Sequence, residues 1–144
     1  MLVINGPNLN LLGTREPEIY GRETLADIER RLGERAVALG CEVECRQSNS
    51  EAEIVGWLQG AGAGSDFDAV VLNPAAFTHY SVAVHDAIKA ARVRVYEVHI
   101  SNIHAREEWR RHSVVSPLAA GIVVGRGVLG YELALEAAVR HARA

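Results

Sequence analysis

Lysine is almost absent from this sequence: Lys89 is the only one among 144 residues, against fourteen arginines. A chain with a single lysine has few routes to catalysis through a lysine imine. No apolar run approaches the roughly 18 residues that a membrane span needs. The net charge of -3 gives no general reason to bind nucleic acid. We therefore expect neither a membrane nor nucleic acid as partner. The sequence opens on an apolar strand instead of a basic leader, so we also expect no signal peptide.

Cysteine is also scarce, with only Cys41 and Cys45. They lie four residues apart in an apparent strand, where a rise of roughly 3.3 Å per residue holds their α-carbons too far apart for a disulfide. We therefore expect buried free thiols and a cytoplasmic location, where thiols stay reduced. The length and the hydrophobic share of 49% suit a single domain over residues 1–144.

Strand and helix patterns alternate along the chain. The predicted strands are residues 1–5, 41–47, 69–73, 93–100 and 118–125, with helical patterns between most of them and after the last. Continuous apolar strands indicate a parallel sheet that is covered on both faces. The second strand alternates in polarity, which is typical of an edge. The predicted fold class is therefore α/β, a flavodoxin-like three-layer sandwich with a five-stranded parallel sheet of order 2-1-3-4-5.

Helix ends are marked by local signals. Thr24 is the predicted N-cap of the first long helix, and Gly40 is its predicted stop. Ser50 and Glu53 match a capping box, which predicts the start of the next helix.

A long loop, NGPNLNLLGTREPEIYG, follows the first strand and covers residues 5–21. It is longer than the two to six residues that usually join a strand to a helix. Such a loop is either a lid over a site or a disordered connection without a function, and we favour the lid.

Polar side chains gather where three of the predicted strands end. In a doubly wound sheet, ligands bind beyond the carboxyl ends of the strands, near the switch between strands one and three. Strand ends are often polar, but amides and imidazoles on three neighbouring ends predict a site there. The residues expected to converge are Asn5, Asn8, Asn10, Asn73, Thr78, His79, Glu97, His99, Ser101 and Asn102.

Two pairs of these residues suggest proton transfer. Glu97 and His99 alternate on one strand, so both side chains leave the same face, either as a general acid or base or as a satisfied polar pair. Arg15 and Tyr20 share the long loop, and a guanidinium close to a phenol favours the phenolate. Arg110 and its neighbour Arg111 follow strand four, where one could bind the substrate while the other faces solvent.

Other patterns are weak. GRGVLG, residues 125–130, matches a dinucleotide-binding motif, but the chain ends before a strand that could carry the ribose-binding acid. His104, Glu107, Glu108 and His112 lack a metal-binding spacing and are typical of a solvated face. We therefore expect no metal and no cofactor.

Six segments carry a resemblance to a known family: NGPNLNLLGTREPEIYG, RQSNSE, NPAAFTHYS, EVHISN, REEWRRHS and GYELAL. Together they resemble the type II 3-dehydroquinate dehydratases over nearly the whole chain. The resemblance implies cofactor-free dehydration of 3-dehydroquinate to 3-dehydroshikimate, in the shikimate pathway or in quinate breakdown. It also implies a homo-oligomer, a dodecamer built as a tetramer of trimers.

The same resemblance implies catalytic roles. Tyr20 resembles the base that takes a proton from C2 of the substrate, and Arg15 the cation that assists it. Asn8 resembles the residue that holds a water against the enolate oxygen. His99 resembles the acid that protonates the departing C1 hydroxyl, with Glu97 orienting it.

Substrate-binding roles are implied in the same way. Asn73, Ile100 and Ser101 resemble the site for the substrate carboxylate. His79 and Arg110 resemble the contacts to the ring hydroxyls. Asp86, on the helix after strand three, resembles a residue that reaches the site of a neighbouring subunit.

The alternative from another class is a non-catalytic flavodoxin-like binding or signalling module. A receiver-type module needs acidic residues where this chain has Asn5 and Asn73. A flavin carrier needs a hydroxyl-rich first loop, in which Thr14 is the only hydroxyl before Tyr20. Both alternatives are therefore disfavoured.

Overall fold

A computed structural model describes residues 1–144, and it confirms the predicted sheet. Five parallel strands lie in the order β2-β1-β3-β4-β5. Their bounds are β1 Leu2–Asn5, β2 Glu44–Gln47, β3 Ala69–Asn73, β4 Arg94–His99 and β5 Gly121–Val124.

Helices cover both faces of this sheet. They are α1 Pro17–Tyr20, α2 Leu25–Leu39, α3 Glu51–Gly60, α4 Val82–Ala91 and α5 Leu129–Ala142. One apolar core lies between the sheet and the pair α2 and α5, and the other lies between the sheet and the pair α3 and α4. None of the helices is long and apolar enough to cross a bilayer.

The helix signals in the sequence act largely as predicted. The Thr24 hydroxyl accepts from the Asp27 N–H, and the Asp27 carboxylate accepts from the Thr24 N–H, so α2 has a complete capping box. Gly40 ends α2 at φ 64, where a side chain would be strained. The predicted box at Ser50 is only half formed, because the Glu53 carboxylate accepts from Ser48 instead.

The second and fifth strands are shorter than predicted. β2 begins at Glu44 because its only neighbour, β1, begins at Leu2, which pairs with Glu44. β5 begins at Gly121, since residues 116–118 form a 3-10 turn that carries Ser116 towards Glu97. β5 is the other edge of the sheet, as the predicted strand order requires, and its Ile122 is 49% exposed.

The two cysteines are free, as predicted, but they are half-buried instead of fully buried. The side chains of Cys41 and Cys45 pack against the core under α2 and α5. Burial raises the pKa of the Cys45 thiol to about 12, so this thiol is a poor nucleophile at neutral pH.

The long loop after β1 has two parts of different character. Leu9 and Leu12 are buried in the core and anchor its first part, which contains a 3-10 turn at Leu9–Leu11. No residue from 13 to 24 is buried, although this second part contains the single turn α1. The first part of the loop is therefore anchored in the core, and the part from residue 13 onwards lies on the surface.

Candidate active site

A cleft opens at the carboxyl ends of β1, β3 and β4, where the sequence predicts a site. It encloses about 660 Å³, part of it open to solvent. Nine of the eleven predicted site residues line it: Asn8, Arg15, Tyr20, Asn73, His79, His99, Ile100, Ser101 and Arg110.

The other two predicted residues lie outside the cleft. Glu97 is fully buried behind His99, where it contacts the imidazole but not the open space. Asp86 is exposed on α4 and does not line the cleft of its own subunit.

The wider set of polar strand-end residues converges only in part. Asn10 is exposed and does not line the cleft, because the 3-10 turn at Leu9–Leu11 carries it outward. Asn102 is likewise outside the cleft, where it caps the next 3-10 turn by accepting from the His104 N–H. Thr78 is fully buried and donates to Glu97.

One wall of the cleft is built on β4. Glu97 and His99 leave the same face of this strand, and His99 Nε2 lies 2.8 Å from Glu97 Oε1. The same carboxylate accepts from Thr78 at 2.8 Å, from Ser113 at 2.7 Å and from Ser116. Four donors therefore surround a carboxylate that solvent does not reach.

These donors keep Glu97 ionised. Burial would raise the pKa of its carboxyl, but the hydrogen bonds from His99, Ser116 and Ser113 outweigh burial and lower the pKa from 4.5 to about 2. An ionised carboxylate only accepts, so His99 Nε2 carries a proton and donates it. The other ring nitrogen, Nδ1, has no protein partner and is left for chemistry in the cleft.

His79 is held in a similar way by the main chain. Its Nδ1 lies 2.8 Å from the carbonyl oxygen of His112, so Nδ1 is the donor. Burial lowers the pKa of His79, and the nearby His99, Arg110 and Arg106 lower it further, against the raising effect of the His112 hydrogen bond. The neutral ring therefore offers Nε2 as an acceptor.

A phenol lies close to two guanidinium groups at the loop side of the cleft. Arg106 Nη1 donates to the Tyr20 hydroxyl oxygen at 2.6 Å, and its Cζ lies 5.4 Å from the ring centroid. Arg15 Cζ lies 5.8 Å from the same centroid and pairs with Glu16 at 3.3 Å. The cation in direct contact with the phenol oxygen is thus Arg106, a residue not predicted from the sequence.

The two arginines in sequence at the cleft rim divide as predicted. Arg110 lines the cleft, where Glu107 holds its Nε at 2.8 Å. Arg111 is exposed and does not line it.

The floor of the cleft depends on the ends of β1 and β3. Asn8 has a left-handed backbone, φ 67, and its N–H donates to Asn49 Oδ1 at 2.9 Å. Asn73 donates to the Tyr131 hydroxyl at 2.8 Å, and that hydroxyl donates to Asn5 at 2.7 Å. A side chain on Gly6 would come within 2.5 Å of the Pro74 carbonyl oxygen, so the two strand ends are in close contact.

Sequence reasoning missed four residues that shape the site. Arg106 is one of three arginines in a segment without a helical period, so the sequence does not show which of them enters the cleft. Ser113 and Ser116 follow Glu97 by 16 and 19 residues, and Tyr131 is 58 residues from Asn73. A spacing of four between Arg106 and Arg110 was the one available signal.

No cluster of three or more His, Cys, Asp or Glu side chains lies close enough to hold a metal ion. The cleft instead combines a carboxylate-bound imidazole with a guanidinium-bound phenol. An α/β sandwich with a polar cleft beyond the carboxyl ends of its strands places the protein, by fold and site, among the α/β enzymes.

Comparison with known proteins identifies the family. The family model described as Dehydroquinase class II matches residues 1–139, and the chain therefore belongs to this family. The resemblance and the fold predicted from the sequence are thereby confirmed.

Individual relatives match this chain over nearly their full length. The chain is 58% identical over 142 residues to a 3-dehydroquinate dehydratase from Variovorax paradoxus, covering 96% of this chain and 97% of the relative. It is 56% identical over 147 residues to one from a Marinomonas species, covering 100% and 98%. The crystal structure of a type II dehydroquinase from Propionibacterium acnes gives a TM-score of 0.92 at 48% identity, covering 97% of this chain and 95% of that one.

Proposed function

We propose that this chain dehydrates 3-dehydroquinate to 3-dehydroshikimate in the shikimate pathway, by trans elimination through an enolate. The single observation that carries the proposal is the cleft itself, where a guanidinium-bound phenol and a carboxylate-bound imidazole line the same space. Membership of the class II dehydroquinase family supports the substrate and favours an enzyme over a non-catalytic binding module.

The phenol side starts the reaction. The Tyr20 phenolate takes the proton from C2, the C–H electrons form the enolate, and negative charge moves to the carbonyl oxygen. Arg106 donates directly to the phenol oxygen, and Arg15 lies over the ring, so two cations lie next to the proposed base. Asn8 has no capping hydrogen bond from its side chain, which leaves its amide free to hold a water against the enolate oxygen.

The imidazole side completes the reaction. The enolate collapses to the ketone, the C1–O bond breaks, and His99 Nδ1 gives its proton to the leaving hydroxyl, which departs as water. Glu97 supports the imidazolium through Nε2. Afterwards Tyr20 holds one extra proton and His99 lacks one, so a net transfer through solvent restores the starting state.

The remaining cleft residues bind the substrate. Asn73, Ile100 and Ser101 would hold the carboxylate, while His79 and Arg110 would contact the ring hydroxyls. Lys89, the only lysine, is exposed on α4 and outside the cleft, which supports a route without an imine. The free thiols support a cytoplasmic location.

We also propose that the subunits assemble, as a dodecamer of four trimers, and that Asp86 reaches a neighbouring cleft. Val82 is 63% exposed and lies four residues before Asp86, on the same face of α4. Tyr80, just before this helix, is 62% exposed. An apolar patch beside an unused carboxylate is typical of a contact surface.

The test is an enone absorbance assay on 3-dehydroquinate with purified protein and no added metal or cofactor. We expect absorbance to rise with the wild type. We expect Tyr20→Phe to lower kcat by at least roughly 10², the usual contribution of a general base. Tyr96→Phe is the matched control, because Tyr96 bonds His141 and does not line the cleft. A folded wild type without turnover would refute the function, and near-normal turnover by Tyr20→Phe would refute the base.

A further inference from the structure

A buried tyrosine joins two strand ends beneath the cleft. Tyr131 lies on α5 and is fully buried, as is Asn5 at the end of β1. Asn73 at the end of β3 is 3% exposed. The Tyr131 hydroxyl oxygen lies 2.7 Å from Asn5 Oδ1 and 2.8 Å from Asn73 Nδ2. One phenol therefore bridges two amides that pair in register across the sheet.

The direction of these hydrogen bonds is fixed by the main chain. The Ala75 N–H donates to one end of the Asn73 amide at 3.1 Å, which must therefore be Oδ1. The other end is then Nδ2, a donor to the Tyr131 oxygen. Burial raises the pKa of the Tyr131 phenol far above its usual range, so its O–H is retained and donates to Asn5. The hydrogen bonds therefore run in one direction, from Asn73 to Tyr131 and from Tyr131 to Asn5.

This arrangement leaves one N–H of the Asn73 amide without a partner in the protein. Its Oδ1 is used by Ala75, and one of its two Nδ2 hydrogens is used by Tyr131. Asn73 lines the cleft, so the second Nδ2 hydrogen is available to an oxygen of a ligand. Ala75 also lines the cleft and has a left-handed backbone, φ 50, which the Asn73 contact supports.

We infer that Tyr131 is a positioning residue, whose hydroxyl holds the Asn73 amide in the orientation that binds the substrate carboxylate. The inference rests on the proposed function and adds a residue outside the cleft to it. Asn5 completes the bridge by accepting the hydroxyl proton. Its own Nδ2 has no partner, so Tyr131 is the one hydrogen-bond partner of the Asn5 side chain.

A second tyrosine in the same core provides a matched control. Tyr96 is 4% exposed, packs in the same apolar cluster as Tyr131 and also uses its hydroxyl, which lies 2.6 Å from His141 Nδ1. His141 is near the C-terminal end of α5, whereas Tyr131 is near its start. Removing either hydroxyl deletes a tyrosine hydrogen bond from this core, but only one of them reaches the cleft floor.

The experiment compares Tyr131→Phe with Tyr96→Phe by melting temperature, KM, kcat and the Kd for the product 3-dehydroshikimate. We expect both variants to lose thermal stability. We expect only Tyr131→Phe to raise KM and the product Kd, both by about tenfold, with kcat changed less than KM. Asn5→Ala should raise KM in the same direction although Asn5 does not line the cleft, and it serves if Tyr131→Phe does not fold.

The outcomes separate the two claims. An inactive wild type would refute the proposed function, and the inference would fall with it. An active wild type with unchanged KM and product Kd in Tyr131→Phe would refute the inference alone. An equal rise of KM in Tyr96→Phe would also refute it, because the effect would then be general destabilisation.

Discussion

At the scale of the residue, three side chains of the cleft each use one polar group to bond the protein and present another to the open space. His99 uses Nε2 for Glu97, His79 uses Nδ1 for the His112 carbonyl, and Asn73 uses Oδ1 for Ala75. The other ring nitrogen of each histidine is left for a ligand, and so is the one Asn73 Nδ2 hydrogen that Tyr131 does not use. A side chain fixed at one end loses little further freedom when it binds, which reduces the entropic cost of recognition.

The contact between Arg106 and Tyr20 leads to the first prediction. Arg106→Ala removes the guanidinium that donates to the phenol oxygen, so we expect kcat to fall by roughly 10², as when one charge-stabilising donor is lost. Arg111→Ala is the matched control, because Arg111 is a nearby arginine that is exposed and outside the cleft. Steady-state kinetics measure both. Equal activity of the two variants would show that the Arg106 contact is not used.

The buried carboxylate leads to a prediction about pH. The pKa of Glu97 is lowered from 4.5 to about 2 by folding, so its ionised form stabilises the native state above pH 4.5. That contribution, roughly 3 kcal/mol in the free energy of unfolding, is lost as pH falls from about 4.5 to about 2.

Glu97→Gln tests this by keeping the shape and removing the titration. We expect the wild type to be the more stable protein at pH 6 and its advantage over Glu97→Gln to shrink towards pH 2. Urea unfolding of both proteins across this pH range measures the difference, and other carboxylates cancel because both proteins contain them. A constant difference would mean that Glu97 does not titrate as stated.

Residue identity was predictable where the strand pattern locates a side chain. Glu97 and His99 follow from the two-residue period of β4, and Asn73 follows from its place at the end of an apolar strand. Arg106 lies between two 3-10 turns, where no period assigns a direction. The catalytic and binding roles themselves stay predictions.

At the scale of the element, the loop from residue 13 to residue 22 places Arg15 and Tyr20 in the cleft but makes few side-chain contacts with the rest of the protein. Arg15 pairs with its neighbour Glu16, and Thr14 donates to Leu11 within the same loop. The hydrogen bond from Arg106 to Tyr20 is the side-chain hydrogen bond that joins this segment to the far wall of the cleft. These contacts suit a lid that closes over a ligand and brings Tyr20, the proposed base, into place.

Limited proteolysis tests the lid. We expect trypsin to cut after Arg15 or Arg22, and we expect 3-dehydroshikimate at saturating concentration to slow those cuts at least several-fold, since closure removes the segment from the protease. Arg92 is the internal control, because it is an exposed arginine in the turn after α4 and does not line the cleft. Equal cutting at Arg15 and Arg22 with and without ligand would contradict closure.

Element ends were predictable where one residue decides them. Thr24 and Gly40 bound α2 through local hydrogen bonding and backbone conformation. The length of β2 depends on where β1 begins, and the start of β5 depends on Ser116 reaching Glu97. Both are contacts between distant parts of the chain, which a local pattern does not contain.

At the scale of the whole molecule, polar contacts join the first and last long helices. Arg31 of α2 pairs with Glu132 of α5, and Arg35 pairs with Glu136 at 2.6 Å. These pairs lie beside the apolar core that α2 and α5 share. The strand order was predictable because an alternating strand belongs at an edge and crossovers are right-handed.

Assembly gives the last prediction. His99→Ala and Asp86→Ala should each be inactive alone, and mixing them through unfolding and refolding should restore turnover. If Asp86 serves a neighbouring cleft, about a quarter of the sites in an equal mixture have both an intact His99 and an intact neighbour's Asp86. The enone absorbance assay measures the recovery.

The control mixes His99→Ala with Tyr20→Phe. Both residues line one cleft, so no mixture of those two subunits contains a complete site. Recovery in the first mixture and none in the second is the expected result. No recovery in either would show that Asp86 acts within its own subunit or not at all.

The bridge through Tyr131 bears on how this protein is made. Asn5 and Tyr131 are 126 residues apart, and the ribosome delivers the N-terminal end first. While α5 is still being synthesised, β1 and β3 have their polar ends but not the phenol that joins them. The nascent chain therefore has an incomplete binding floor until its last helix is synthesised and docked, and a chain stalled before Tyr131 would lack that bridge.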